Sequence, residues 1–184
     1  MIGGKSFHGC YQLELEHINL PSTVTEIGDY AFYDCSGLKD VVLKRGLQKI
    51  GQFSFHGCDN LEHISFPSTV TEVGFSAFSG CKFETVILNE GLQTIGPASF
   101  AHCTSLQCIV IPHTVTEISD STFHNCRNMR EVDLHEGIQK IHPRAFGICS
   151  SLERFNFPGL STRLETITQA GLTEWGIGLT VSVV

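Results

Sequence analysis

Eight cysteines are the residues of this sequence with the greatest potential for chemistry. Seven recur at steps of 25, 23, 23, 22, 23 and 23 residues, each three residues after a phenylalanine: Cys10, Cys35, Cys58, Cys81, Cys103, Cys126 and Cys149. A disulfide holds its Cβ atoms about 3.8 Å apart, whereas stacked coils would hold them near 5 Å. Zinc-binding Cys-x-x-Cys pairs are absent. We therefore interpret these seven thiols as one buried packing position, repeated in every coil.

The nine histidines do not form a predictable metal site. His8, His56 and His124 follow the repeated phenylalanine, but they belong to coils at least two apart and hence roughly 10 Å or more from each other. Metal ligation needs several ligands near 2 Å of one ion, so we expect these histidines to face solvent. Gly4-Lys5-Ser6 lacks the earlier glycine of a phosphate-binding loop. The sequence predicts no catalytic, cofactor-binding or metal-binding residue, and no small-molecule substrate.

Composition narrows the class of protein further. The chain has 184 residues, a formal net charge of −7 and 17% charged residues. Without a basic cluster there is no electrostatic basis for nucleic-acid binding. No apolar run approaches the roughly 20 residues of a membrane-spanning helix. Residues 1–10 lack the apolar stretch of a signal peptide, and the eighth thiol, Cys108, suits a reducing compartment, so the sequence predicts a cytoplasmic protein.

The 23-residue period predicts a solenoid, because self-similarity at this spacing is typical of stacked coils. One coil carries an apolar skeleton at Leu15, Ile18, Leu20, Val24, Ile27, Phe32 and Cys35, and Leu38 begins the next. The alternating part predicts short strands stacked into one parallel sheet, over residues 15–20, 38–43, 61–66, 83–88, 106–111, 129–134 and 152–157. The Phe-x-x-Cys part predicts a single 3₁₀ or helical turn opposite the sheet.

Glycine follows the Ile/Val position in several coils, at Gly28, Gly51, Gly74 and Gly96. We expect a turn with positive φ there, since glycine adopts that conformation most readily. Ser119 and His142 take the same position in later coils.

The recurring pattern Ile-Gly-x-x-(Ala/Ser)-Phe-x-x-Cys-x-x-Leu-x-x-Val-x-Leu-Pro resembles the BspA-type leucine-rich repeat, with seven copies over residues 2–158. The resemblance implies a β-rich, curved leucine-rich-repeat solenoid, with its parallel sheet on the concave face and short turns and extended segments opposite. It also implies a binding function, as in bacterial surface proteins and many eukaryotic microbes. We expect residues 1–158 to form the array, starting within a repeat of a longer array, and residues 159–184 to form a divergent C-terminal cap.

The outward face of the sheet is the best candidate for a functional surface. Its middle coils carry apolar or weakly polar residues with acidic residues beside them, and the predicted partner-binding residues are Val42, Thr85, Ile87, Cys108, Val110, Asp40, Glu131 and Asp133. An exposed apolar patch with a charged rim is typical of a partner site. The competing interpretation is that β-branched residues simply suit an exposed strand.

The function predicted from these features is a non-catalytic module or scaffold that binds protein partners on the concave sheet face. The alternative is part of a cell-surface adhesion or recognition array whose signal sequence lies outside this chain.

Overall fold

The computed structural model describes residues 1–10 and 16–156, which wind into a parallel-strand solenoid of about six turns with almost no helix. Each turn contributes very short strands. The twelve strands are β1 (His17–Asn19), β2 (Glu26–Ile27), β3 (Asp40–Val42), β4 (Lys49–Ile50), β5 (His63–Ile64), β6 (Glu72–Val73), β7 (Thr94–Ile95), β8 (Cys108–Val110), β9 (Glu117–Ile118), β10 (Glu131–Asp133), β11 (Lys140–Ile141) and β12 (Arg154–Asn156). The predicted leucine-rich-repeat solenoid is confirmed.

Along one side of the solenoid, where the sequence predicts one parallel sheet of six-residue strands, the structure has two three-stranded parallel parts with strands of two or three residues, together called the main sheet. Strands β1, β3 and β5 pair in that order, as do β8, β10 and β12, and every pair is parallel. The fourth coil joins the two halves only through the isolated bridges Ser65–Ile87 and Thr85–Cys108. This coil lies where the cysteine spacing falls from 23 to 22 residues, because the connection from Cys81 to its strand segment at Phe83 is one residue shorter than the connection from Cys58 to Leu61.

A second parallel ladder, not predicted from the sequence, follows each proline- or glycine-containing turn. Strands β2, β4, β6 and β7 form one part of it, and β9 and β11 form another. Its outward side chains alternate in charge along part of the ladder, and the Lys49 ammonium lies 2.9 Å from the Glu72 carboxylate. Opposite charges directly across a strand pair stabilise the pairing modestly.

The third side of each coil, here called the turn segment, is built from hydrogen-bonded turns. Within the second coil, Ala31, Tyr33 and Cys35 donate back to carbonyls three residues earlier. The intervening N–H groups donate to the next coil: Tyr30 to Gln52, Phe32 to Ser54, and Asp34 to His56. The same alternation recurs in later coils, so turns and intercoil bonds together satisfy the backbone.

The expected positive φ at the glycine column is wrong. The left-handed residue lies two positions later, at Tyr30 (φ 58°) in the second coil and Phe53 (φ 54°) in the third. In the third coil, glycine is instead required by the closeness of the adjacent coil. A Cβ on Gly51 would lie 2.8 Å from the backbone nitrogen of Asp29 and 2.8 Å from the carbonyl carbon of Gly28.

Two side-chain columns fill the core behind the turn segment. Neighbouring phenyl rings stack with centroids from 5.0 to 5.7 Å apart, through Phe7, Phe32, Phe55, Phe78, Phe100, Phe123 and Phe146. Each buried cysteine donates its thiol to the phenylalanine carbonyl of the coil before, as Cys58 Sγ does to Phe32 at 3.1 Å. All eight cysteines are free, which supports the interpretation of the repeated thiols as a packing position.

Burial suppresses ionisation of these thiols, because a thiolate in the core would lose its contact with water. Desolvation raises the pKa of Cys35 to about 11 and the pKa values of Cys103 and Cys149 to about 12. The predicted C-terminal cap at 159–184, and the boundary before it, lie outside the described residues.

Candidate interaction surface

The main sheet separates an apolar inner column from two outer columns. Its inner side chains are buried in the core, at Val41, Ile64, Val86, Ile109, Val132 and Phe155. Because successive side chains of a strand point to opposite faces, the residues on either side of each buried position point outward. The sequence alternation therefore identified the two faces of this sheet correctly.

Strand register aligns the outer side chains into columns across the coils. One column pairs His17 with Asp40 and Asp40 with His63. It continues through the irregular fourth coil at Thr85 and then through Cys108, Glu131 and Arg154. The other column pairs Asn19 with Val42, Ser65 with Ile87, Val110 with Asp133, and Asp133 with Asn156. All eight predicted partner-binding residues lie on this outer sheet face.

Three apolar side chains on the outer sheet face are strongly exposed. Val42 is 43% exposed, Ile87 68% and Val110 60%. The Thr85–Cys108 bridge sets the register that places Ile87 and Val110 at the same column in adjacent coils. Water contact with such side chains is unfavourable by about 25 cal/mol for each Å² of apolar surface, so their exposure leaves free energy that a partner could recover.

A groove crosses the part of this face nearest the fourth coil. Its volume is about 470 Å³, and its outward lining residues are Asp40, Val42, His63, Ser65, Thr85 and Ile87. The structure thus brings four of the predicted residues to one groove, whereas Cys108, Val110, Glu131 and Asp133 lie on strands beyond it. His63 and Ser65 also point outward by the alternation of the predicted strand over residues 61–66, but they are not part of the predicted site, which combines apolar or weakly polar residues with acidic ones.

The acidic residues of the rim differ in what they contact. Glu131 accepts hydrogen bonds from Arg154 Nη2 at 2.7 Å and Asn156 Nδ2 at 3.1 Å, and Asp133 also accepts one from Asn156. Asp40 is less engaged, since among the described residues its side chain contacts only His17, whose Nδ1 lies 4.0 Å from the carboxylate. The rim therefore offers a largely unengaged carboxylate beside the groove and two engaged carboxylates at the far end.

No group of three histidine, cysteine or acidic side chains within residues 1–10 and 16–156 is arranged to hold a metal ion. Among those same residues, no helix is long and apolar enough to cross a membrane. Cys108 is the exposed cysteine and lies on the outer sheet face, while the six thiols of the core are buried.

The fold and its repeat of about 23 residues define a leucine-rich-repeat solenoid. A family model described as BspA type leucine rich repeat region, with six copies, matches residues 1–91 and 71–172. The chain therefore belongs to the BspA-type leucine-rich repeat family. Repeats of this family commonly mediate protein–protein or surface recognition, and such solenoids are typically non-catalytic.

Solved bacterial structures share this fold. The T. pallidum leucine-rich repeat protein TpLRR is 27% identical, with a TM-score of 0.77 over 100% of this chain and 79% of its own. A leucine-rich repeat protein from Bacteroides ovatus is 22% identical, with a TM-score of 0.70 over 91% of this chain and 51% of its own. This chain thus spans about half the length of the B. ovatus protein. No curated protein sequence matches it significantly.

A third solved structure also shares the fold. A protein from Faecalibacterium prausnitzii, described as a leucine rich cell surface protein, is 21% identical, with a TM-score of 0.58 over 99% of this chain and 63% of its own. The comparisons include such surface proteins and do not support the cytoplasmic location expected from the sequence.

Proposed function

We propose that this chain is a non-catalytic protein-interaction module whose outer sheet face binds an extended segment of a partner protein. The segment would place aliphatic side chains in the groove beside Ile87 and against Val110, and a basic side chain near Asp40. The single observation that carries the proposal is the exposure of Ile87 and Val110 side by side at the middle of the sheet.

Two further observations support a partner of this chemistry. The groove of about 470 Å³ continues from Ile87 toward Val42, which provides concave apolar surface instead of an isolated exposed side chain. Asp40 stands on the same groove with its carboxylate largely unengaged, so a basic group in the partner would complement its charge.

The double variant Ile87→Asp, Val110→Asp tests the proposal. Proteins captured from an extract of the source organism by the immobilised wild-type chain are identified and quantified against the variant, and the best is purified for affinity measurement. Burying one aliphatic side chain contributes about 1.5–3 kcal/mol, so we expect the double variant to bind at least tenfold more weakly.

The matched control is Ile148→Asp. Ile148 is 51% exposed and adopts φ 60° on the turn segment, at the repeat position where Asp34 adopts φ 55°. The array therefore already carries aspartate in this conformation, and the control should retain its partners. Retention of every partner by the sheet-face double variant, with both proteins folded by circular dichroism, would contradict the proposal.

A cell-surface recognition array is the second candidate function, favoured by the F. prausnitzii neighbour. It differs from an intracellular scaffold in where the partner is found. Binding of the chain to intact cells or extracellular matrix, lost in the same double variant, would favour the surface role.

A further inference from the structure

A second surface, on the opposite side of the coil from the main sheet, contains clustered aromatic side chains. We call Tyr30, Tyr33, Phe53, His56 and Phe75 the aromatic turn cluster. Phe53 contacts most of the others, with ring centroids 4.8 Å from Tyr30, 5.0 Å from Phe75 and 5.6 Å from His56, and Tyr33 stacks on His56 at 5.1 Å. Phe75 is 43% exposed, and the other four are partly exposed.

The repeat does not require these rings. At the position of Tyr30 and Phe53, the following coils carry Ser76, Ala98 and Ser121, all with the same left-handed φ. The backbone strain is therefore common to the solenoid and carries no functional meaning by itself. Coils two to four differ from the others in their aromatic side chains. The later coils fold without these rings, so the rings break the symmetry of the array at one place.

The charges around the cluster are negative. Asp34 and Asp59 both act electrostatically on His56, and within the described part of the chain neither forms an ion pair. Burial lowers the pKa of His56, so its ring is neutral at pH 7 and adds aromatic surface without adding positive charge. The chain itself places a cation here, because Lys5 Nζ lies 5.8 Å from the centroid of the Tyr30 ring.

We propose that the aromatic turn cluster binds an arginine-containing segment of a partner protein, with a guanidinium group stacked on the exposed rings and paired with Asp34. A planar guanidinium stacks on aromatic faces and, at its edge, donates hydrogen bonds to a carboxylate. A lysine ammonium combines these two contacts less well. The surface lies away from the main sheet, so this binding is independent of the function proposed for the outer sheet face.

The probe is a fluorescent peptide with four arginines separated by Gly-Ser pairs, and its control carries citrulline, the neutral isostere, at the same four positions. Binding is followed by fluorescence anisotropy at low salt. The arginine peptide gains a cation–π contact and a charge pair that citrulline cannot form, and each is weak at an exposed site. Because the two contributions add, we expect the arginine peptide to bind about tenfold more tightly than the citrulline peptide. Its affinity should fall as salt is added.

Two variants copy residues from equivalent positions of other coils, so they should preserve the fold. Asp34→Asn introduces the residue found at Asn125, which has φ 62°, and Phe53→Ser introduces the residue found at Ser76, which has φ 49°. Each should weaken the arginine peptide about two- to fivefold. Asp120→Asn removes an exposed acid of a later coil, outside the cluster, and should leave the affinity unchanged.

Equal binding of the arginine and citrulline peptides, or equal loss in Asp34→Asn and Asp120→Asn, would overturn the proposal. So would binding of a neutral oligosaccharide that exceeds that of the arginine peptide and depends on Phe53, which would make the rings a sugar platform. Ile87→Asn, Val110→Asn, which disrupts the apolar sheet face without adding charge, should bind the arginine peptide normally, so failure of the sheet-face function and failure of this one are distinguishable.

Discussion

At the scale of single residues, each buried cysteine combines small apolar volume with one weak donor. The thiol of Cys81 donates to the Phe55 carbonyl, and that of Cys126 donates to the Phe100 carbonyl. The partner carbonyl belongs to the coil before, so the bond ties consecutive coils together while the sulfur packs as an apolar atom. Ionisation is disfavoured because the thiolate would be buried without a cation.

This difference between cysteines predicts selective thiol labelling. In the folded protein at pH 7.5, a maleimide should react rapidly with exposed Cys108 and more slowly with half-buried Cys10, while the six buried thiols stay unreacted. Cys108→Ser should remove the fast phase, as measured by mass spectrometry of the labelled chain.

Denaturation in guanidinium provides the control, because all eight thiols should then react. Rapid labelling of Cys58 or Cys81 in the native protein would show that the core thiols are accessible and contradict the packing role.

The sequence predicted residue orientation on the main sheet but not backbone conformation on the turn segment. Side-chain alternation has a period of two, which is visible directly in the chain, so Ile87 and Val110 were assigned outward. The left-handed φ of Tyr30 and Phe53 was not predictable from residue type, since bulky residues rarely adopt it. It arises from bonding between coils, which no local pattern displays.

At the scale of elements, adjacent turn segments approach each other so closely that little room is left for a side chain at the first residue of the segment. Gly51→Ala would bring a Cβ to 2.8 Å from the Asp29 backbone nitrogen. Overpacking of this kind costs about 1–3 kcal/mol, so the variant should unfold at a clearly lower urea concentration than the wild type.

Gly3→Ala is the matched control for that prediction. Gly3 has the same repeat position, but a Cβ there would meet only Ser6 Oγ at 3.4 Å. Its unfolding midpoint should stay close to the wild-type value. Equal destabilisation by the two variants would show that conformational preference, and not contact with the preceding coil, selects glycine.

Element boundaries were only partly predictable. The main sheet followed from strand-like alternation over six residues, whereas β2, β4 and β6 contain two residues each, too few to display a period. In the fourth coil, a strand was predicted that the structure does not form. Its sequence alternates like that of the other coils, but its cysteine spacing is one residue shorter and it pairs only through isolated bridges.

At the scale of the whole molecule, stability depends on contacts between neighbouring coils, and a coil in the middle has two neighbours. Phe78 is fully buried between Phe55 and Phe100, whereas Phe7 is 39% exposed and, among the described residues, stacks on one ring, that of Phe32. Phe78→Ala should therefore lower the free energy of unfolding by about 3–5 kcal/mol, and Phe7→Ala by much less.

Urea denaturation followed by circular dichroism measures both variants. Phe78→Leu separates ring stacking from volume and should fall between Phe78→Ala and the wild type. Similar losses for Phe78→Ala and Phe7→Ala would mean that the coils unfold without nearest-neighbour coupling.

Whole-molecule architecture was the most predictable level, since one spacing of 23 residues fixes the stacking of every coil. The candidate surfaces were less predictable. The groove combines residues from three coils. The aromatic turn cluster consists of residues that differ from coil to coil, so the repeat pattern does not reveal it.

The intercoil hydrogen bonds of the turn segment also give that side of the solenoid an electrical direction. In each coil the bonding N–H groups, such as those of Phe32, Phe55 and Phe78, donate toward higher residue numbers. Peptide dipoles aligned in this way add, as they do along an α-helix. The turn segment therefore carries partial negative charge toward its first coil and partial positive charge toward its last, whereas intercoil N–H groups on the other two sides, such as those of Gln48 and Gln107, donate toward lower residue numbers and oppose it. The two ends of the solenoid thus differ in local polarity from one side of the coil to the next.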